Sequence, residues 1–444
     1  MNIFIALALV CAFGLLSFSV LFFGLRKPKI FFLYSLVLII LWPEYIGFKL
    51  SSLPSIGIDR LITLCLGFIL FASYTQKNNS IPKFNIDGFL YLFLLCWFCL
   101  TAVFTPFELL RPLFASINWF FIGPLLGLYI HTFMKNDSSK VIKYIFIAIL
   151  LANMIGFLEL ILQKPLFGDF IITTTEFNKN QGVEFIRSGI YRVKSVFWHP
   201  LVFAQFILVG VCINYYYYFN LSDVKLKILC ILYLIASYIL LFNTGSRAGF
   251  YLSILIPFIY FYFKLYTVSK FNLFLKGFNL ISIPIVLIGS FYLISNSLDD
   301  ARNIESLFIA GEISVEETST LARVVQLDKG WEAIKNRPIL GVGLTNAGQA
   351  ISRNSVDNYY LSIFIETGIV GFGILLFLLY RRISLGIKGI KHYKDPLLIC
   401  LLCSCAAILL FYFILSIARA NLILFPLLAL INLRYKELQG INNK

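Results

Sequence analysis

The sequence predicts an all-α integral membrane protein, a polytopic bundle of about 12–13 transmembrane helices, and three observations carry that reading. The 444 residues are 59% hydrophobic, with mean hydropathy +0.86. Only 13% are charged, against about 25% in soluble globular domains. Apolar runs of about 18 or more residues recur along the whole length, long enough to cross a bilayer as helices. The alternating short strands of an outer-membrane barrel are not seen.

Spans fall at about 2–25, 30–47, 57–74, 86–105, 113–133, 141–162, 197–219, 226–243, 246–266, 278–295, 358–380, 396–417 and 421–433. The last is short enough to be re-entrant. The first has no Lys or Arg before it and no small-residue cleavage site, and RKPK (Arg26 to Lys29) follows it, so a retained anchor is expected rather than a signal peptide. The chain then divides into N-terminal helices (1–163), an extracytoplasmic loop (164–196) and central helices (197–295). A large extracytoplasmic loop (296–357) and C-terminal helices with a cytoplasmic tail (358–444) complete it.

The basic residues give the orientation. With the N-terminus outside, the inside connections and the tail hold 21 Lys and Arg, against five in the short outside connections. That is a positive-inside bias, and it orients a multi-pass protein with its C-terminus in the cytoplasm. The net charge of +15 is spread over short loops without a basic domain, so nucleic acid is not an expected partner. The nine Cys lie in apolar runs, which implies neither a disulfide framework nor a zinc site; Cys400 and Cys403 are spaced like a redox pair but fall mid-helix.

The two long outside loops are the expected functional surface. Outside, ten of sixteen basic residues are Arg; inside, four of twenty-one are. Arg supplies a fork of donors suited to phosphate or carboxylate, so an anionic substrate on the outer side is the better account than headgroup anchoring.

Three stretches concentrate polar chemistry there. RSGIYRVKSVFWHPLVFAQF holds Arg187, Arg192, Lys194 and His199. Arg192 and Lys194 are candidates to bind phosphate, and His199, just before Pro200, either caps its helix or orients the phosphate. LFNTGSRAGF puts Ser246 or Thr244 at a helix start, where backbone amides form a ready anion site. Arg247 in that first turn either contacts phosphate or pairs with a carboxylate such as Glu366. The third stretch predicts a helix from about Thr320 to Asn336, with Leu321, Val324, Leu327, Trp331 and Ile334 as an apolar stripe lying on the membrane or over the site. Pro338 ends it, and the GxG of ILGVGLTN reads as a turn letting backbone approach a sugar or phosphate. Arg337 and Asn346 flank that turn as binding candidates.

NSVDNYYLSIFIETGIVG follows. Asp357 is either the N-cap of this helix or a base that accepts a proton from an incoming hydroxyl while arginines neutralise a leaving phosphate. Asn358 and Tyr359 cluster with it. Glu366 lies nine residues deeper and requires a cation or donor partner.

SVFWHPLVFAQF, TGSRAGF, Arg323…Trp331…RPILGVGLTN and VDNYYLSIFIETGIVG, in this order and around a large outer loop, resemble the O-antigen ligase/O-antigen polymerase superfamily of bacterial inner-membrane proteins. The resemblance spans about residues 187–375. It implies a GT-C-like bundle, a glycan on undecaprenyl pyrophosphate as substrate, and metal-independent inverting glycosyl transfer at the periplasmic face. Carried over by position, Arg192, Arg247 and Arg323 bind the pyrophosphate, and Asp357 stands where ligases usually carry a histidine. That departure favours a polymerase joining repeat units, with membrane lipid and a chain-length regulator protein as further partners. A ligase moving finished glycan onto lipid A–core is the alternative, and a lipid-linked-glycan transporter is a third. A transporter should show charges at depth on several helices, or an inverted repeat with broken helices. Only Glu366 and Glu159 stand at depth, without an obvious repeat. No soluble cofactor is expected, and no divalent metal, since the outer loops lack a His/Asp/Glu cluster at ligand spacing.

Overall fold

The computed structural model describes residues 23–43, 46, 57–76, 86–167, 186–187, 190–266, 315–353, 356–413 and 418–442. In the N-terminal part these form α1 (Pro28–Leu41), α2 (Ile58–Gln76), α3 (Ile86–Val103), α4 (Leu110–Ile122), α5 (Pro124–Phe133) and α6 (Ser138–Leu162). A two-residue antiparallel ladder follows, β1 (Ile186–Arg187) with β2 (Ile190–Tyr191). The rest is helical: α7 (Pro200–Asn220), α8 (Val224–Asn243), α9 (Arg247–Tyr266), α10 (Val315–Asn336), the one-turn α11 (Ala347–Ala350), α12 (Tyr359–Tyr393), α13 (Pro396–Phe411), a 3-10 turn (Ala418–Ala420) and α14 (Asn421–Asn442).

Among the described residues, seven helices are long and apolar enough to cross a membrane, counting α4 and α5 as one. The protein is therefore an all-α polytopic membrane bundle. The spans expected at 278–295 and over most of 2–25 lie outside the described residues.

Three boundaries differ from the sequence reading. The span expected at 113–133 breaks at Gly123, because Pro124 has no N–H to give and disfavours helical backbone at the residue before it. Phe425 of α14 packs into the space a Gly123 side chain would fill. The last span is not a short re-entrant piece but α14, whose polar second half is held by Arg434 bonding to Asp395 and Glu437. α12 likewise continues through Arg381 and Arg382 to Tyr393.

α7, α13 and the first half of α14 form the enclosed centre, buried along almost every turn. α6, α8 and α9 lie outside them and expose Met154, Ile161, Leu232, Phe242, Tyr251 and Phe258, an apolar surface suited to lipid. The two ends of the bundle are distinct. One is basic: Lys29 pairs with Asp137, Ser138 donates to Glu437, Arg434 pairs with Asp395, and Arg381 pairs with Asp87. At the other, Arg419 pairs with Asp59 and donates to the Ile39 and Trp42 carbonyls, and Arg337 donates to the Phe104 carbonyl. Each of these contacts joins segments that the charge pattern assigns to the same side.

α12 is broken at Gly368, whose φ of 63° and ψ of −174° leave the helix. The stretch 338–343 lies in the break. Ile369 N donates to the Pro338 carbonyl (2.8 Å), and Val342 N and Gly343 N donate to the Ile365 and Glu366 carbonyls (3.1 and 2.8 Å). Trp97 Nε1 donates to the Thr367 carbonyl at 2.9 Å. The i to i−4 bond between Ile369 and Ile365 is thus exchanged for two bonds to another segment, so the break leaves these groups satisfied. Gly341 (φ 70°) makes the approach possible, since a Cβ there would meet the Glu366 carbonyl oxygen at 2.6 Å. The GxG turn therefore serves backbone approach to α12.

α10 starts earlier than expected, at Val315, and of the expected stripe Ile334 packs with Ile365 of α12. Gln326, Gly330, Ala333 and Ile334 are buried, whereas Leu327 and Trp331 are 41% and 55% exposed. Gly330 decides this, because Leu361 and Ile365 of α12 occupy the space its side chain would need.

Gly368→Ala and Gly341→Ala are each expected to cost at least about 2 kcal/mol, from positive φ and backbone overlap. Gly373→Ala, with nothing within 4 Å of the added carbon, is expected to stay within about 0.5 kcal/mol. Melting of the detergent-purified variants checks all three.

Candidate functional site

The loop leading into α7 is held by one carboxylate. Glu159 of α6 is 0% exposed, and its oxygens accept from Tyr191 Oη (2.7 Å), Lys194 N (3.1 Å) and Ser195 N (2.5 Å). A buried carboxylate is stable only when so bonded. Ser195 adopts φ 56°, and its Oγ donates to the Ala152 carbonyl at 2.7 Å. The sequence reading noted Glu159 only for its depth. Its signal was a lone acid in an otherwise apolar helix facing a loop of donors.

This loop is joined to the end of α8. Val193 N donates to the Asn243 carbonyl (3.0 Å) and Arg192 Nε to the Thr244 carbonyl (2.8 Å). Gly245, at φ 61°, lies under the Arg192 side chain, and a Cβ there would come within 2.8 Å of Nε. Ser246 caps α9 by accepting from Gly249 N at 3.0 Å, which places exposed Arg247 in the first turn. Gly249 packs on Ala204, so the positive N-terminal ends of α7 and α9 approach each other beside Arg192.

His199 caps α7: its Nδ1 accepts from Leu201 N at 3.1 Å. Burial pushes its pKa down to about 4, and Arg192 and Lys194 push it the same way, so the imidazole is neutral and free to accept. Lys194 is 1% exposed, and burial lowers it to about 8 against the opposing charge of Glu159. Arg192 is more accessible than Lys194. Arg187 pairs through its backbone with Ile190.

The second wall is α10, the 338–347 segment and the start of α12. The N-cap of α12 is Asn358, not Asp357: the Asn358 side-chain oxygen accepts from Leu361 N at 3.0 Å. Asp357 N instead donates to Gln326 Oε1 at 2.9 Å, which ties Asp357 to α10 three residues beyond Arg323. Tyr359 is buried, stacks on Tyr412 and accepts from Trp119 Nε1 and Asn421 Nδ2. Asn346 is 1% exposed and donates to Thr105 Oγ1 and the Val342 carbonyl.

Glu366 does not pair with Arg247. It accepts from Ser362 Oγ at 3.2 Å, faces the backbone of Thr345 and Ala347, and feels Arg111 as its cation. The stretch 343–347, folded over α12 by the Gly368 break, closes off the partner expected from α9. The two walls meet through the 3-10 turn Ala418–Ala420, packed on α7, and through Tyr412, whose carbonyl accepts from Tyr359 N.

The fold thus defines a multi-pass helical membrane protein with arginines, two helix starts and a carboxylate gathered at its non-basic end. Residues 231–376, from within α8 to within α12, match the family model described as O-antigen ligase. The match covers that segment alone, so over it the chain is similar to the O-antigen ligase family, and the seven apolar helices make the whole a multi-pass membrane protein. The Arg187–Phe206 stretch lies before the matched residues. No curated protein matches the chain.

Unfolded His protonates near pH 6.5 and His199 near 4, so its contribution is complete above 6.5 and is lost as pH falls from 6.5 toward 4. The expected loss is at most about 3 kcal/mol. His199→Asn keeps an acceptor for the cap and does not titrate. Melting measured across pH 7.5 to 4.5 should show a smaller acid slope in that variant.

Proposed function

We propose that the protein is a glycosyltransferase that polymerises oligosaccharide repeat units carried on undecaprenyl pyrophosphate, at the periplasmic face of the bacterial inner membrane. The observation that carries this is the bond from Arg192 to the Thr244 carbonyl. It sets Arg192 beside the turn that starts α9 with Arg247, where amides and guanidinium groups together suit a pyrophosphate. Arg323 joins them by its place in the resemblance and by its position on α10 near Gln326. Asp357 accepts the proton of the incoming sugar hydroxyl as that oxygen bonds to the anomeric carbon, and the bond to the pyrophosphate breaks with its charge held by the arginines. Arg187, Lys194, His199, Arg337, Asn346, Asn358, Tyr359 and Glu366 shape the surface around these groups.

The description of the matched family favours a second reading, a ligase that transfers finished glycan to lipid A–core. Aspartate at 357, where ligases usually carry histidine, favours the polymerase. The broken helix of α12 gives the transporter reading little support, because the chain's own 338–343 segment already occupies the break.

Deleting the gene and running a surface-glycan gel separates the three. A single repeat left on lipid A–core indicates a polymerase, and loss of all repeats from the core indicates a ligase. An unchanged gel returns the transporter reading to the front. In the polymerase, Arg247→Lys keeps charge but loses the fork and is expected to lower product at least about tenfold. Asp357→Asn is expected to lower turnover by about 10²-fold or more. It keeps the cap of the helix, which is Asn358.

A further inference from the structure

At the basic end, α12 packs on α3 and α14, and α14 packs on α5. Each of these four helices carries a polar group that the proposed reaction does not use. Among the described residues, Tyr91 Oη (α3), His131 Nε2 (α5), Arg382 Nε (α12) and Asn432 Nδ2 (α14) have no hydrogen-bond partner. Tyr91, Arg382 and Asn432 are 0%, 1% and 4% exposed. A buried polar atom with no partner is costly, and four on helices that pack together toward one end of the bundle need a common explanation.

They lie together. Tyr91 Oη sits against Gly127, one turn before His131 on α5. The Phe425 carbonyl flanks the same glycine, and Asn432 and Lys436 follow two and three turns further along α14. His131 lies within electrostatic reach of Lys436, and Lys436 within reach of Arg382, Lys135 and Arg381. Asp87 pairs with both Arg381 and Arg382. The other acids of this end are already engaged, Asp137 by Lys29 and Lys140, Asp395 and Glu437 by Arg434.

The group thus sets four cations, Arg381, Arg382, Lys135 and Lys436, against Asp87. Asp87 Oδ2 and Arg382 Nη2 face each other in their ion pair, and the other unpartnered atoms of the group can donate: the Arg Nε and the Asn amide only donate, and the Tyr hydroxyl and the His ring can. What is missing is an acceptor that carries negative charge. A positive-inside bias accounts for cations in loops, not for donors buried between helices.

We propose that the basic ends of α3, α5, α12 and α14 form a binding site for a phosphate group. Arg381, Arg382 and Lys436 supply its counter-charge, and Tyr91, His131 and Asn432 supply neutral donors. The phosphate belongs either to a phospholipid headgroup or to a free ion. This site is independent of the proposed glycosyl transfer.

The test uses the full chain, purified in detergent and stripped of lipid, titrated with phosphatidylglycerol and separately with inorganic phosphate. Native mass spectrometry and the melting temperature are the readouts. Saturable binding of at least one probe is expected, weakened at least about tenfold by Arg381→Gln and unaffected by Arg353→Gln, an exposed position outside both sites. Phosphatidylglycerol alone identifies a headgroup, and phosphate alone a free ion. Arg381 also holds Asp87, so a variant that fails to fold is replaced by Lys436→Gln, which breaks no ion pair and is expected to weaken binding at least about threefold. The proposal is overturned if neither probe saturates, if the basic-end variants bind as wild type does, or if only Arg353→Gln loses binding.

Discussion

A backbone inside a bilayer has no water to bond, and the arrangement of the non-basic end follows from how this chain meets that demand at Gly368. Where α12 leaves helical geometry, its freed N–H and carbonyl groups are taken by Pro338, Val342 and Gly343, and one carbonyl by Trp97. The exchange pins the 338–343 segment to a long apolar helix by backbone alone. It places Thr345 and Ala347 over Glu366, sets Asn346 between Thr105 and Val342, and leaves Arg337 to reach the Phe104 carbonyl.

The opposite wall follows the same logic through a side chain. Glu159 replaces water for three donors of the 191–195 loop, and that loop carries Arg192 onto the Thr244 carbonyl. Guanidinium groups take part in both walls, Arg192 on the Thr244 carbonyl and Arg337 on the Phe104 carbonyl. Each is thus held in place by a neutral acceptor, which leaves its charge uncancelled by that bond.

The fold class was legible because hydropathy and span length answer to the membrane directly. Helix positions followed, apart from breaks at Gly123 and Gly368. Pro124 signalled the first; Gly368 looks like any small residue in an apolar helix, and its positive φ depends on a partner 30 residues upstream. For α10, apolar spacing picked Leu327 and Trp331, but the small residues Gly330 and Ala333 determine which side can approach α12. The cap of α12 was misplaced by one residue because Asp and Asn are both good caps, and the competing bond from Asp357 N to Gln326 is invisible without the tertiary structure. Arg192, His199 and the Thr244–Arg247 turn were legible as a group, since local chemistry at helix starts is written in adjacent residues.

The Gly341–Gly368 contact also bears on how such a chain can diversify. Backbone pairing carries no side-chain code, so the residues around it are free to drift as long as both glycines stay. The 338–371 segment is then inherited as one mechanical part: a recombination point inside it would separate two halves that are each incomplete, while exchange at its edges would move the lip and its supporting helix together.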